Sequence, residues 1–262
     1  MIWKLISVIL AASMGLTMAA QSPLDITNQG VWTPGIKNIV LVHGAWADGS
    51  SWAKIIPLLE ARGLHVVAVQ LHLTSLADDA DVVKRAVALQ DGPVLLIGHS
   101  YGGAVITEAG NDPKIAGLVY VAAFAPDQGQ SALDQGAANP TAGTKDLAPD
   151  TWGFTALSPE VIQTDFAQDL SEIEKRVLIA TQGPTSVAAL GGKVTITAWA
   201  NKPSWFIIAA NDRMISPDLE RAEANKMKAV SITLDSSHVP MLAHPFRVAA
   251  FISEAARKSG GR

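Results

Sequence analysis

Cysteine is absent from the 262 residues of this chain. Its absence excludes a disulfide framework, a thiolate nucleophile and a metal site with cysteine ligands. The six histidines are scattered, without the His-Glu-x-x-His spacing of a zinc site or anything similar to it. We therefore expect neither a metal nor a cofactor held by such ligands.

Charged residues are also few, at 17% of the chain, and the formal net charge is −4. Nucleic acids and anionic membrane surfaces attract proteins with an excess of basic residues, so neither is an expected partner. Hydrophobic residues make up 48% of the sequence. A chain of this length and composition can bury a full core as one domain, with room for an inserted cap.

An apolar stretch near the N-terminus covers residues 5–18, follows the single positive charge of Lys4 and is followed by small residues. This pattern is typical of a cleaved export signal. The stretch is shorter than the roughly 20 residues that a membrane-spanning helix needs, so an uncleaved anchor is only the alternative interpretation. We expect a signal peptide over residues 1–20 and a single domain over residues 21–262. The mature protein is then periplasmic or secreted, without stable membrane association.

Short apolar runs alternate with helical patterns along most of the chain. The runs have the length of strands, those at 64–69 and 115–124 of buried strands, and the continuous run at 94–97 suits a strand that is buried on both faces. They lie at residues 37–43, 64–69, 94–97, 115–124, 204–210 and 229–234. This alternation implies right-handed crossovers, and therefore an α/β fold with a mostly parallel sheet and helices on both faces.

Two helical patterns follow the first two strands. The first begins at an N-cap, Ser50 or Ser51. The second covers residues 74–90, and its first turn is acidic, which the helix dipole favours. The aspartates in or near that turn are Asp78, Asp79 and Asp81. We interpret this acidic cluster as the solvated start of a helix rather than as a metal site.

The alternation breaks after the strand that ends near Phe124. Residues 127–200 hold a polar loop rich in Gly, Ala and Pro and then two helical patterns, one with the capping box Ser171-x-x-Glu174. We interpret this segment as a small helical cap over the site. Four aromatic residues are candidates for its centre, with ordinary core packing as the alternative: Trp152, Phe154, Phe166 and Trp199.

One apolar strand joins a helix through a Gly-x-Ser-x-Gly sequence, from Gly98 to Gly102, centred on Ser100. A sharp strand-to-helix turn lifts a serine hydroxyl clear of the fold, and its strained backbone needs the small neighbours that the two glycines supply. The turn also puts the serine at a helix N-terminus, where free N–H groups can hold a developing oxyanion. We therefore predict that Ser100 is a catalytic nucleophile. The alternative is a glycine-rich turn that contains a serine by chance.

A serine nucleophile needs a base, and the base needs a carboxylate to orient it. Ligand sites of parallel sheets lie at the carboxyl ends of the strands, and Asp212 and His238 each follow a strand. With Ser100 they occur in the order Ser, Asp, His. We predict His238 as the base and Asp212 as the orienting acid. Asp127 also follows a strand and stays open as the alternative acid.

Two backbone N–H donors are expected to form an oxyanion hole. Tyr101, the residue after the nucleophile, supplies one. The loop after the first strand supplies the other, from Ala45 with Trp46 as its neighbour. His43 is expected to support this loop, and His99 to point away from the site.

With these residues in place, the chain resembles the α/β-hydrolase fold family. Within that family it is similar to the branch of plant methylesterases, hydroxynitrile lyases and related bacterial esterase-like proteins. The resemblance covers about residues 37–258 and implies a hydrolase without metal or organic cofactor. It rests on four stretches: residues 41–46 (LVHGAW), 98–103 (GHSYGG), 119–127 (VYVAAFAPD) and 236–242 (SSHVPML).

Two positions depart from the lyases of that branch. Those lyases carry a Thr after the first-strand His and a Lys after the catalytic His, where this chain has Gly44 and Val239. A cyanide leaving group would be poorly stabilised in an apolar pocket without a cation. We therefore expect hydrolysis of small apolar carboxylic esters through an acyl-enzyme on Ser100. A carbon–carbon lyase and a non-catalytic ligand-binding homologue are the alternatives.

Overall fold

Six parallel strands form the main sheet of the computed structural model, which describes residues 35–259, and two short strands pair separately. In chain order the strands are β1 (Asn38–Val42), β2 (His65–Ala68), β3 (Val94–Ser100), β4 (Ile115–Ala123), β5 (Phe154–Thr155), β6 (Thr185–Ser186), β7 (Ser204–Ala209) and β8 (Val230–Leu234). The order across the main sheet is β2-β1-β3-β4-β7-β8, and every neighbouring pair is parallel. The predicted α/β-hydrolase fold is confirmed.

The inner strands form the core of the protein. Side chains of β1, β3 and β7 are buried along the whole strand, as are nearly all those of β4. The edge strand β2 differs, since its side chains are exposed or half-buried. The expectation that residues 64–69 form a buried strand is therefore wrong, because β2 has a neighbour on one side alone.

Helices cover both faces of the sheet. They are α1 (Ile56–Glu60), α2 (Leu76–Ala88), α3 (Tyr101–Ala109), α4 (Ala132–Ala138), α5 (Pro159–Val161), α6 (Glu172–Thr181), α7 (Val187–Leu190), α8 (Pro217–Lys226), α9 (Pro240–Ala243) and α10 (Pro245–Ser259). The chain steps outward from β1 to β2 and then back across β1 to β3, so right-handed crossovers put α1 and α2 on opposite faces. Contacts of α10 with α1, and of α3 with α2, extend these two layers.

The first helix starts differently from the prediction. A 3-10 turn over Gly49–Trp52 comes first, and its N-cap is Asp48, whose carboxylate accepts a hydrogen bond from the Ser50 N–H at 2.6 Å. Ser50 and Ser51 therefore lie inside the turn and do not cap it. Pro57 stands in the first turn of α1, where its missing N–H is tolerated, so a second short helix begins there.

Between β4 and β7 the chain leaves the main sheet through residues 127–200. This cap is not only helical, because β5 and β6 form an antiparallel pair that we call the cap sheet. Two-residue strands are too short to leave an alternating pattern in the sequence. The predicted aromatic centre is also partly wrong: Phe166 is buried, but the Trp152 side chain is 82% exposed.

The predicted signal peptide over residues 1–20 lies outside the described residues and stays a prediction. The same holds for the start of the domain after residue 20. Within residues 35–259, no helix is both long enough and apolar enough to cross a membrane.

Candidate active site

Ser100 stands at the junction of β3 and α3 in a strained backbone conformation. Its φ of 54° and ψ of −123° lie outside the regions that side-chain-bearing residues favour. The turn is possible because its neighbours lack side chains. A Cβ on Gly98 would lie 2.5 Å from the Gly102 carbonyl oxygen, and a Cβ on Gly102 would lie 2.6 Å from the His43 carbonyl oxygen. This geometry holds Ser100 at the surface of a cavity.

Asp212 follows β7, and its carboxylate is held by three hydrogen bonds. Oδ1 accepts from the Met214 N–H at 2.7 Å and from the Ile215 N–H at 2.9 Å. Oδ2 accepts from Nδ1–H of His238 at 2.5 Å, and both side chains are buried. The turn after the strand thus fixes one carboxylate oxygen and presents the other to the histidine.

His238 has one ring nitrogen bound and one free. Since Nδ1 donates its proton to a carboxylate, the neutral ring carries no proton on Nε2. Nε2 is buried and has no hydrogen-bond partner within residues 35–259, Ser100 included. In enzymes without substrate, the bond between nucleophile and base is often long and tightens on binding. The structure therefore joins Asp212 directly to His238 and shows no hydrogen bond between His238 and Ser100.

His99 connects the loop of His238 to the turn of Ser100. Its Nε2 donates to the His238 carbonyl oxygen at 2.8 Å, and the centroids of the two rings lie 4.8 Å apart. Burial lowers the pKa of His99 well below its usual value, so the ring is neutral. It does not line the cavity, and it supports the backbone of the predicted base.

The alternative acid, Asp127, has a different partner. Its carboxylate lies 3.3 Å from Nζ of Lys226, which also pairs with Glu223 and lies over the Trp199 ring. The hydrogen bond from Nδ1 of His238 goes to Asp212. The geometry therefore favours Asp212 over Asp127 as the orienting carboxylate.

Glu220 is a buried acid behind Asp212 that the sequence analysis did not single out. It is fully buried in α8, and its Oε2 accepts from the N–H of Ala209, the last residue of β7, at 2.9 Å. Burial, together with the neighbouring Asp212 carboxylate, raises the pKa of Glu220 well above its usual range. Glu220 therefore keeps its proton to a higher pH than an exposed glutamate does.

The residues predicted for the oxyanion hole all line the cavity beside Ser100. They are not equivalent, because the Trp46 N–H already donates to Oγ1 of Thr185 at 3.0 Å. Ala45 and Tyr101 therefore remain the predicted donors. His43 supports the loop as expected: Nδ1 donates to the Gly44 oxygen at 2.8 Å, and Nε2 accepts from the Leu71 N–H at 2.9 Å. Burial lowers the pKa of His43, which keeps Nε2 free to accept.

Asp79 does not belong to a solvated helix start, so that interpretation is wrong for this residue. It is fully buried, and its Oδ2 accepts from the hydroxyl of Tyr101 at 2.9 Å. Its Oδ1 accepts from the N–H of Leu73, also at 2.9 Å. Packing of α2 against α3 turns this aspartate inward, while Asp78 and Asp81 stay at the surface. A tyrosine directly after the nucleophile, whose buried hydroxyl needs a partner, is the signal that could have found it.

The cavity at Ser100 has a volume of about 280 Å³. Its wall is mainly apolar and includes residues of the sheet edge and of the cap. Among these are Trp46, Phe124, Leu133, Leu147, Leu190 and Met214. Lys145 is the charged residue of the wall, and its side chain is 69% exposed. Within residues 35–259, no three His, Asp or Glu side chains are grouped so that they could hold a metal ion.

The fold and this site together define an α/β hydrolase. The sequence profile described as "Alpha/beta hydrolase family" matches residues 39–251, and the chain belongs to that family. Methylesterase 7 of Arabidopsis thaliana is 26% identical over an alignment of 262 positions, gaps included, that covers 85% of this chain and 97% of that protein. The carbendazim hydrolyzing esterase of Nocardioides sp. (strain SG-4G) is 37% identical over an alignment of 110 positions, gaps included, that covers 37% of this chain and 46% of that protein.

A solved structure supports the same fold. Polyneuridine aldehyde esterase superposes with a TM-score of 0.73 at 21% identity, over 84% of this chain and 99% of that chain. The resemblance to the methylesterase branch is thereby confirmed, and so is the expectation of an esterase-type α/β hydrolase.

Proposed function

We propose that this protein is a serine esterase that cleaves small, neutral, apolar carboxylic esters through an acyl-enzyme on Ser100. The observation that carries the proposal is the buried hydrogen bond from His238 to Asp212, at 2.5 Å, beside a serine held in a strained strand-to-helix turn. A strained turn of this kind persists where the surrounding structure holds it, and such turns are concentrated at functional sites.

In the proposed reaction, Ser100 Oγ attacks the ester carbonyl carbon while Nε2 of His238 takes its proton. Asp212 keeps the other ring nitrogen protonated and stabilises the imidazolium that forms. The N–H groups of Ala45 and Tyr101 hold the oxyanion. His238 then gives the proton to the departing alkoxide, and a water molecule, activated by the same ring, releases the carboxylic acid and frees Ser100.

The substrate class follows from the cavity wall. Apart from the exposed Lys145, the wall offers no partner for a charged group, so burying one against it would be costly. A volume of about 280 Å³ is at the lower end of the range for small-molecule sites. The names of the relatives agree with ester cleavage, since they include methylesterases and a pyrethroid hydrolase. Val239, apolar and buried beside His238, supports a hydrolase over a lyase that needs a cation there.

The test compares Ser100→Ala with Ser50→Ala, a matched change at an exposed serine. Ser100→Ala is expected to abolish hydrolysis of p-nitrophenyl acetate and covalent labelling by a fluorophosphonate, with an unchanged melting temperature. Ser50→Ala is expected to behave as wild type. Hydrolysis by folded Ser100→Ala at the wild-type rate would remove this serine from the mechanism. Absence of both labelling and ester turnover in the folded wild type would instead favour a ligand-binding homologue.

We also propose that the protein is exported, on the strength of the single charge of Lys4 and the apolar run over residues 5–18. A short apolar run with small residues after it is the pattern that signal peptidases cleave. The enzyme would then meet its esters in the periplasm or outside the cell.

A further inference from the structure

Trp46 has a backbone conformation that is rare for a bulky residue. Its φ of 54° lies in the left-handed region, where a Cβ crowds the following carbonyl. Such a residue keeps this conformation only when its surroundings hold it there. Trp46 directly follows Ala45, whose N–H is one of the two proposed oxyanion donors. The contacts that hold Trp46 in this conformation therefore also fix the peptide between Ala45 and Trp46, next to that donor.

The cap sheet holds Trp46 through both of its N–H groups. The backbone N–H donates to Oγ1 of Thr185 at 3.0 Å. The indole N–H donates to Thr155, at 3.1 Å to Oγ1 and at 3.2 Å to the carbonyl oxygen. The Thr155 hydroxyl in turn donates to the Thr185 carbonyl oxygen at 3.0 Å, which leaves its lone pairs for the indole. All three residues are buried, so water cannot replace these partners.

Ser186, the next residue of β6, starts a second series of hydrogen bonds, which leads to Tyr101. The Ser186 N–H donates to the Leu73 carbonyl oxygen at 2.9 Å, and the Leu73 N–H donates to Asp79. Asp79 accepts from the hydroxyl of Tyr101, whose backbone N–H is the second proposed donor. Two successive residues of β6 thus each start a series of hydrogen bonds: one ends at Trp46, the residue after Ala45, and the other at the side-chain hydroxyl of Tyr101.

We propose that β6 of the cap positions the oxyanion hole, and that Thr185 is the positioning residue for the Ala45 side of it. The inference rests on the proposed esterase function and extends it. The cap then does more than form a wall of the cavity: it sets where two N–H groups point when negative charge develops on the carbonyl oxygen. Thr185 itself touches Trp46 and not the reacting atoms.

The decisive variant is Thr185→Val, which keeps the shape of the side chain and removes the acceptor oxygen. The buried Trp46 N–H then loses its partner, and the loop can relax from its left-handed conformation. Removing an oxyanion donor lowers kcat by about 10²–10³ fold in known cases. Displacing one without removing it is expected to lower kcat by about tenfold, with KM within about twofold of wild type. Thr185→Ser restores the oxygen and is expected to restore kcat.

Two further measurements separate positioning from general damage. Thr181→Val, at an exposed threonine of the cap helix α6, is the matched control and is expected to leave kcat unchanged. A trifluoromethyl ketone binds serine esterases as a tetrahedral adduct with a negatively charged oxygen. Its Ki is expected to rise in Thr185→Val by the factor by which kcat/KM falls.

The proposal is overturned by a folded Thr185→Val with kcat within twofold of wild type, or by a change in KM alone. An unchanged Ki for the trifluoromethyl ketone would also overturn it. If Thr185→Val does not fold, Thr155→Val tests the same cap sheet through the indole, with changes in kcat and Ki in the same direction but smaller, because the indole N–H keeps the Thr155 carbonyl oxygen as an acceptor. Loss of activity in Ser100→Ala together with normal kcat in the Thr185 and Thr155 variants would refute this inference and leave the esterase function standing.

Discussion

Asp212→Asn tests the predicted acid sharply, because the structure shows which way the new amide must face. Asp212 Oδ1 accepts from two backbone N–H groups, those of Met214 and Ile215. An asparagine has one acceptor oxygen, and these two donors hold it at the Oδ1 position. Its NH₂ group then faces Nδ1 of His238, which must accept a hydrogen bond and give up its proton to Nε2.

A histidine with its proton on Nε2 cannot take the proton of Ser100. The same substitution in a well-studied serine protease lowers kcat by about 10⁴ fold. Each tenfold loss corresponds to about 1.36 kcal/mol, so the expected loss of transition-state stabilisation is about 5.4 kcal/mol. The opposite orientation of the amide would set NH₂ against two N–H groups. Each buried donor left unpaired costs about 1–3 kcal/mol, so the asparagine is expected to avoid this orientation.

The assay is kcat for p-nitrophenyl acetate, with the melting temperature as a check on folding. Asp127→Asn is the matched control and is expected to keep wild-type kcat, since Asp127 pairs with Lys226 at the surface. A folded Asp212→Asn that kept more than a tenth of wild-type kcat would refute the reasoning. A loss of about 10⁴ fold in Asp127→Asn alone would move the role of the acid to Asp127.

Three further predictions concern stability and export. The pKa of Glu220 is raised in the folded protein, so the free energy of unfolding of the wild type falls as pH rises from about 4.3, the usual pKa of Glu, through the folded pKa. Glu220→Gln is expected to lack this fall. Urea unfolding of both proteins at pH 5 and pH 8 measures the difference. Gly102→Ala sets a Cβ against the His43 and Val42 carbonyl oxygens and is expected to cost about 1–3 kcal/mol of unfolding free energy. Gly136→Ala is not expected to, because its Cβ would make an ordinary contact with Phe124 at 3.8 Å; equal stability of the two variants would contradict this. N-terminal sequencing of the exported protein is expected to show a mature chain that begins near Gln21. An intact Met1 on protein outside the cytoplasm would argue for the uncleaved anchor.

The fold could be predicted because its signals are local. Each inner strand is a continuous apolar run, and the alternation of runs and helices implies the parallel sheet. The order Ser100, Asp212, His238 could be predicted because all three follow strands, and the carboxyl ends of parallel strands meet at one edge. The side chains that directly follow a strand are therefore the part of a site that a sequence reveals best.

The supporting residues could not be predicted, because their roles depend on distant contacts. Asp79 looks like the other aspartates of its helix turn, and the hydroxyl of Tyr101, 22 positions away, decides that it is buried. Thr155 and Thr185 lie in strands of two residues that leave no periodic pattern. Glu220 lies in the first turn of a mostly polar helix, where an acid is ordinary. In each case the decisive partner is more than ten positions away in sequence or comes from another element.

Two strained residues show how the parts of the molecule depend on each other. Ser100 and Trp46 both have φ of 54°, and left-handed backbone costs a residue with a side chain roughly 1–2 kcal/mol. At Ser100 the cost is met locally, since Gly98 and Gly102 leave room for the turn. At Trp46 the hydrogen bonds to the cap sheet hold the conformation. A change in the cap that weakened those hydrogen bonds would therefore alter the loop of Ala45 and Trp46 and leave the turn of Ser100 in place. Variants of the cap sheet are expected to lose turnover while fluorophosphonate still labels Ser100.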